Sequence, residues 1–146
     1  MKAVRDYSPD LRDLCSGELY ESLAAAKARI IAYWGDECAR NLDKLLTHFT
    51  PDAEVVTPDR SYRGHDAVAA LYQTSFDAYP GLTVDVKGSF PGSGAHCIEY
   101  SAVLTDTNDH RFLVEGINLV RMKRGLISYL RSFEDAPRRI PADGSS

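Results

Sequence analysis

From Leu82 to Glu134 the chain is a succession of strand-like runs separated by turn residues, and this limits the folds open to it more than any other feature. Residues 82–90 alternate, with Leu82, Val84 and Val86 on one side and Thr83, Asp85 and Lys87 on the other. That is the period-two signature of a half-buried strand. Pro91-Gly92-Ser93-Gly94 then turns the chain into a run over 95–105, and Asp106 to Asp109 turns it into another over 111–123. Arg124-Gly125 closes a tight hairpin into a last run over 126–134. Connections this short join antiparallel neighbours, so the spacing predicts a four-stranded antiparallel meander.

The first half reads as helix. After Ser16, an N-cap residue type, Leu19, Leu23, Ala26, Ile30, Tyr33 and Trp34 recur at helical spacing, and Gly35 loosens the end. Asn41 caps a second helix near 41–49, broken by Pro51-Asp52. A short strand, Ala53 to Thr57, stops at Pro58-Asp59, and a third helix near 65–78 presents Val68, Leu71, Tyr72, Ser75 and Phe76. Residues 1–15 read as an N-terminal extension, 16–136 as one domain, and 137–146, which show no periodicity, as a flexible tail. Helices followed by strands define the α+β class, with three helices packed on one face of the sheet. The two central strands are apolar on both faces: Val114 and Val120 on one, Leu113, Ile117 and Leu119 on the other. The face away from the helices therefore needs a cover, and a homodimer through the sheet is the expected one.

Composition excludes several classes of partner. The 146 residues carry a net charge of −4, which gives no support for nucleic-acid binding. No stretch approaches the ~20 apolar residues of a membrane span, and the first ten residues lack an apolar signal core. The expected location is the cytoplasm. Cys15, Cys38 and Cys97 match neither a zinc nor a redox spacing, and the four histidines form no ligand pair on a helix. The expectation is therefore no metal and no cofactor.

The run from Leu42 to Phe49, then Pro51-Asp52-Ala53, then Tyr62-Arg63-Gly64-His65-Asp66-Ala67-Val68, resembles the nuclear transport factor two-like superfamily. Within it the likeness is to SnoaL-like polyketide cyclases and ketosteroid isomerase-like proteins. The strand Phe112 to Met122 and the Gly125 hairpin continue it, over about residues 18–135. The resemblance implies a cone, with the helices and a strongly curved sheet enclosing a pocket for a small apolar or ring-containing ligand. It also locates the chemistry. Where ketosteroid isomerases carry a general-base aspartate this chain has Thr57, and where SnoaL-like cyclases carry a late aspartate and a histidine it has Ser132 and Asn118. The tyrosine that donates to the dienolate oxygen corresponds to Tyr33, and its protonated aspartic partner to Asn118. A phenol and an amide are both donors at neutral pH, so this pair keeps the ability to polarise a carbonyl.

Strand parity adds to this list. If Asn118 faces the pocket, so do Val114, Gly116, Val120 and Met122, and Ser132 takes Ser128, Leu130 and Glu134 with it. Glu134 is then the carboxyl expected to reach the cavity as an acid or base; the other reading places it solvated at the mouth. Tyr100 shares the more apolar face of its strand and should point inward, whereas His96 reads as a rim or turn residue. Tyr33 and Trp34 lie about 100° apart on their helix, so only one is expected to face the pocket squarely. The candidate catalytic residues are Tyr33, Asn118 and Glu134, and the candidate substrate-binding residues are Thr57, Tyr62, Tyr100 and Ser132. Two classes of function fit: a cofactor-independent isomerase, cyclase or lyase acting on an apolar ring or polyketide carbonyl compound, or a non-catalytic ligand-binding or dimerisation module.

Overall fold

The computed structural model describes residues 2–13, 15–92 and 94–142. In chain order it contains β1 (Val4–Asp6), a 3-10 turn (Leu11–Asp13), α1 (Gly17–Cys38), α2 (Leu42–Leu46), β2 (Phe49–Val56), β3 (Ser61–Arg63) and α3 (Gly64–Ala78). These are followed by β4 (Gly81–Gly92), β5 (Ala95–Thr105), β6 (Arg111–Lys123), β7 (Leu126–Glu134) and β8 (Arg138–Ile140). The fold is α+β, with three helices and a large, mostly antiparallel sheet that does not close.

The meander β4 to β7 forms as the turn chemistry dictates. Arg124 and Gly125 both adopt positive φ, the pair a two-residue hairpin turn of type I′ requires. Ser93, within the expected turn before β5, lies outside the described residues. The sheet is larger than the meander, however, and runs β1-β4-β5-β6-β7-β2-β3. β1 joins β4 in parallel and β2 joins β7 in parallel, so the expected four strands are extended at both edges. The N-terminal segment is thus part of the sheet, with Leu11 in the core. The flexible tail expected from Pro137 is also corrected. β7 pairs with β6 only from Gly116 onward, and β8 pairs Arg111 to Leu113 beyond its end. Those strand groups would otherwise form an open edge. Residues 143–146 lie outside the described residues.

The helices deliver their expected stripes. Leu23, Ala26, Ile30, Tyr33 and Trp34 of α1 are buried, as are Val68, Tyr72 and Phe76 of α3. Each such aliphatic side chain contributes about 1.5–3 kcal/mol of burial. Gly35 does not end α1, which runs another turn to Cys38. Asn41 caps α2 by accepting from the Lys44 amide, but that helix stops at Leu46 and β2 begins earlier than expected, at Phe49. His48 bonds across elements instead: its Nε2 donates to the Asp36 carboxylate at 2.7 Å, and its Nδ1 accepts from the Arg29 guanidinium at 3.0 Å.

Parity holds over most of β5 to β7, and one bulge breaks it. Arg121 pairs with Tyr129 and Met122 with Ile127, leaving Ser128 as the extra residue. Ile127, not Ser128, therefore enters the core, and the Ser128 hydroxyl donates to the Arg121 carbonyl. His96 is buried rather than on the rim, with Ser22 Oγ at 3.3 Å from its Nε2. Burial pushes its pKa down. Among the described residues no helix is long and apolar enough to cross a membrane.

Candidate functional site

A cavity of about 270 Å³ lies between α1, α3 and the sheet. Three residues of α1 line it: Tyr33, Trp34 and Glu37. The first and last are one helical turn apart and project along one face, and Trp34 flanks them. Both aromatic neighbours thus contribute to the cavity wall. Tyr72 of α3 meets Tyr33, their hydroxyls sharing a 2.5 Å hydrogen bond. The Tyr33 ring packs edge-on against Phe49, with centroids 5.7 Å apart, and against Tyr72, at 6.0 Å.

The opposite wall is set by cross-strand rows. Val86, Tyr100, Gly116 and Glu134 lie side by side across β4 to β7, and Ile98, Asn118 and Ser132 form the next row. Gly116 carries the geometry here. A Cβ on it would sit 2.7 Å from the Phe133 carbonyl oxygen and 3.0 Å from Glu134 Cβ. Without that side chain the Tyr100 ring reaches across β6, and its hydroxyl donates to Glu134 Oε2 at 3.1 Å while lying 3.2 Å from Ser132 Oγ. The structure therefore brings together three residues singled out by sequence: Tyr100, Ser132 and Glu134.

The other candidates divide. Asn118 lines the cavity, is 3% exposed, and its amide oxygen is buried without a hydrogen-bond partner among the described residues. Tyr33 lines it too, but its hydroxyl is bonded to Tyr72 and not to Asn118. Thr57 lines the wall with its hydroxyl occupied by the Arg60 backbone at 3.3 Å. Tyr62 does not line the cavity. It stands on β3, the outermost strand, one strand beyond Val55, where it packs against the core with the Arg60 guanidinium over its ring at 5.7 Å.

Electrostatics point to a residue that the sequence reading missed. Burial pushes the Glu37 carboxyl up to about 7; Arg40 and the Tyr33 hydroxyl oppose the shift, and Glu134 adds to it. Arg40 does not clamp that carboxylate. It donates to the backbone carbonyls of Glu37 at 3.2 Å and Tyr79 at 2.5 Å, and its guanidinium lies over the Phe76 ring at 4.6 Å. Glu134 sits at the mouth, exposed as a residue, with burial raising its pKa, Tyr100 and Ser132 opposing, and Asp59 adding. Burial holds both Tyr33 and Tyr72 well above the ordinary tyrosine value, so at neutral pH they are phenols that can donate. The signal for Glu37 was its spacing, four residues after Tyr33 on an amphipathic helix.

Ligand sites in general are concave and mostly apolar with a few polar groups, and this cavity combines aromatic faces, two phenols and a carboxyl that burial pushes up to about 7. The SnoaL-like domain family matches residues 28–130, and the chain belongs to it. A ketosteroid isomerase from Mycobacterium sp. is similar in structure, with a TM-score of 0.66, 24% identity, and coverage of 75% of this chain and 92% of that one. An epoxide hydrolase from M. tuberculosis matches with a TM-score of 0.67 and 16% identity, over 78% of this chain and 85% of the other. A Catenulispora acidiphila protein with a ketosteroid isomerase-like fold, solved in complex with trimethylamine, matches with a TM-score of 0.68 and 15% identity, over 81% and 97%. No curated protein sequence matches the chain.

Proposed function

We propose that this protein binds a small ring-containing carbonyl compound in the cavity and moves a proton on it without a cofactor, as an isomerase, cyclase or lyase. The observation that carries this reading is the Glu37 carboxyl, pushed up to about 7, in one cavity with the Tyr33–Tyr72 hydroxyl pair. An acid or base works best when its pKa lies near the working pH. A hydroxyl that accepts from one phenol becomes a better donor to a second acceptor. Tyr33, with Asn118 nearby on the wall, donates to the ligand oxygen, and Glu37 takes the proton from carbon. Glu134, tied to Tyr100 and Ser132, guards the mouth. The helices and the sheet, curved into a cone, exclude water from the reacting carbon. Glu37 thus fills the role that the family's carboxylates would have held at Thr57 and Ser132.

A dimer belongs to this reading. Ile117 and Phe133 are neighbours in one cross-strand row on the face away from the helices, 39% and 51% exposed, with Leu119 in the row beside them. A second copy of the chain would cover them. The three absent family groups, at Thr57, Asn118 and Ser132, favour a second reading: a binding module of the same fold. The test is a panel of β,γ-unsaturated cyclic ketones and small polyketide lactones assayed from pH 5 to 9. Turnover that rises through about pH 7 and is lost in Glu37→Gln supports the enzyme. Binding without turnover selects the module.

A further inference from the structure

α1 ends in a conformation that glycine would serve best. Arg40 follows the Ala39 cap at a φ of 56°, its amide donates to the Glu37 carbonyl at 3.0 Å, and the Asn41 amide donates to the Asp36 carbonyl at 3.0 Å. This left-handed helix stop is harder for a residue with a Cβ than for glycine. The Arg40 side chain then does something glycine could not. Its guanidinium donates to two backbone carbonyls, that of Glu37 on α1 and that of Tyr79 at the end of α3, and lies over the Phe76 ring at 4.6 Å. Glu37 and Tyr79 both line the cavity, so one side chain joins two of its walls. A further donor, the Arg40 Nε–H, is buried with no partner among the described residues. A strained backbone and an unpaired buried donor are both unfavourable, and a residue needed only to end a helix would carry neither.

The bonds to the carbonyls also fix where the charge stands. The Arg40 charge favours the ionised Glu37 carboxyl, yet the two groups form no ion pair among the described residues. A direct ion pair would hold a carboxyl in the acid range, and a buried carboxyl with no cation near it would climb further. We infer that Arg40 is a positioning residue for the chemistry of this cavity: tied to the carbonyls of Glu37 and Tyr79, its guanidinium is a counter-charge held near the Glu37 carboxyl but off it, and this keeps that carboxyl available as an acid or base. The inference rests on the reading of Glu37 as the proton-transfer group and adds what regulates it. Its test requires no turnover.

The groups facing Glu37 are Tyr33, Cys38 and Arg40 from α1, Tyr72 from α3, Tyr100 from β5 and Glu134 from β7. Burial pushes the three phenols and the thiol upward, so between about pH 5 and 9 only the two carboxyls are able to change charge, while the guanidinium stays positive. The experiment follows the Glu37 carboxyl by carboxyl NMR, assigned with Glu37→Gln, in wild type, Arg40→Met and Arg40→Lys. Methionine keeps a long side chain over Phe76 and removes the charge, so the Glu37 midpoint should rise by about one pH unit or more. Lysine keeps the charge and loses the two-pronged hold on the carbonyls. Its midpoint should return most of the way to wild type, although both variants lower the melting temperature. The positive φ of position 40 accepts glycine, so Arg40→Gly supplies a charge-free protein where Arg40→Met does not fold. On a ketone that is turned over, the rising limb of the pH profile should move up with the NMR midpoint. An unmoved midpoint in folded Arg40→Met or Arg40→Gly overturns the inference. An equal rise in Arg40→Lys overturns it as well, since the effect would then be one of packing. A wild-type midpoint near the ordinary 4.5 removes the Glu37 base itself, whereas a wild-type midpoint near 7 that ignores Arg40 removes this inference alone.

Discussion

Replacing Glu37 by glutamine should make the folded protein more stable above neutral pH and leave it nearly unchanged in acid. In the unfolded chain this carboxyl titrates near its ordinary value of 4.5, and in the fold burial moves it to about 7. Between those values the native state holds a proton that the unfolded state has released. Stability therefore falls as pH rises across that window, and below about 4.5 both states are protonated and the cost vanishes. A displacement of this size is worth about 3 kcal/mol once pH exceeds the native value. Glutamine keeps the shape and never ionises. Urea unfolding of wild type and Glu37→Gln at a series of pH values between 4 and 8.5 measures the difference directly. Any fixed effect of the amide on packing appears equally at every pH and cancels when the acid and alkaline differences are compared. The variant should gain up to about 3 kcal/mol on wild type between pH 4.5 and 8. A difference that stays flat with pH would show that Glu37 is not a buried acid, and the proton-transfer reading would lose its base.

The other expectations concern the walls and the outer face. Tyr33→Phe should lower turnover on an active ketone about a hundredfold or more, as loss of an oxyanion donor does, and should also cost about 1–3 kcal/mol of stability because the buried Tyr72 hydroxyl loses its partner; an unchanged kcat would remove Tyr33 from the chemistry. Gly116→Ala forces a Cβ to within 2.7 Å of the Phe133 carbonyl, so β6 and β7 must separate. That variant should be destabilised by about 1–3 kcal/mol, and a wild-type melting temperature would refute the close approach. Tyr100→Phe removes the hydroxyl that favours ionised Glu134, so the Glu134 carboxyl should titrate higher in the variant, read by carboxyl NMR; no change would sever that contact. Leu119→Lys places a charge in the outer face of the sheet and should convert a sedimenting dimer to monomer; a wild type that is already a monomer at micromolar concentration discards the dimer.

Much of the framework was legible because its causes are local. β5, β6 and β7 fall on the expected 95–105, 111–123 and 126–134, since alternation and turn residues act over a few positions. The α1 stripe was equally plain, and it carried Tyr33 into the cavity. Ser132 came from the resemblance, Tyr100 and Glu134 from strand parity, and the three share one hydrogen-bonded cluster, with Glu134 at the exposed mouth. Parity failed where a single bulge at Ser128 reversed it, because a bulge belongs to the pairing of two strands and leaves no mark in either.

The sequence by itself determined the α+β class, the helix faces and the order of the central strands, all of which depend on neighbours within a turn or a hairpin. Only the tertiary structure decided which strands would close the sheet's edges, since β1, β3 and β8 are three residues each and become strands by having a partner to pair with. It also decided which polar residues acquire chemistry. Tyr62 was removed from the site by standing one strand too far out, and His96 was buried against α1. Glu37, an ordinary glutamate near a helix end by its sequence, was turned into an acid of neutral pKa because α3 and the sheet take away its water. Desolvation is a property of everything packed around a group, and it comes into existence only when the chain has folded.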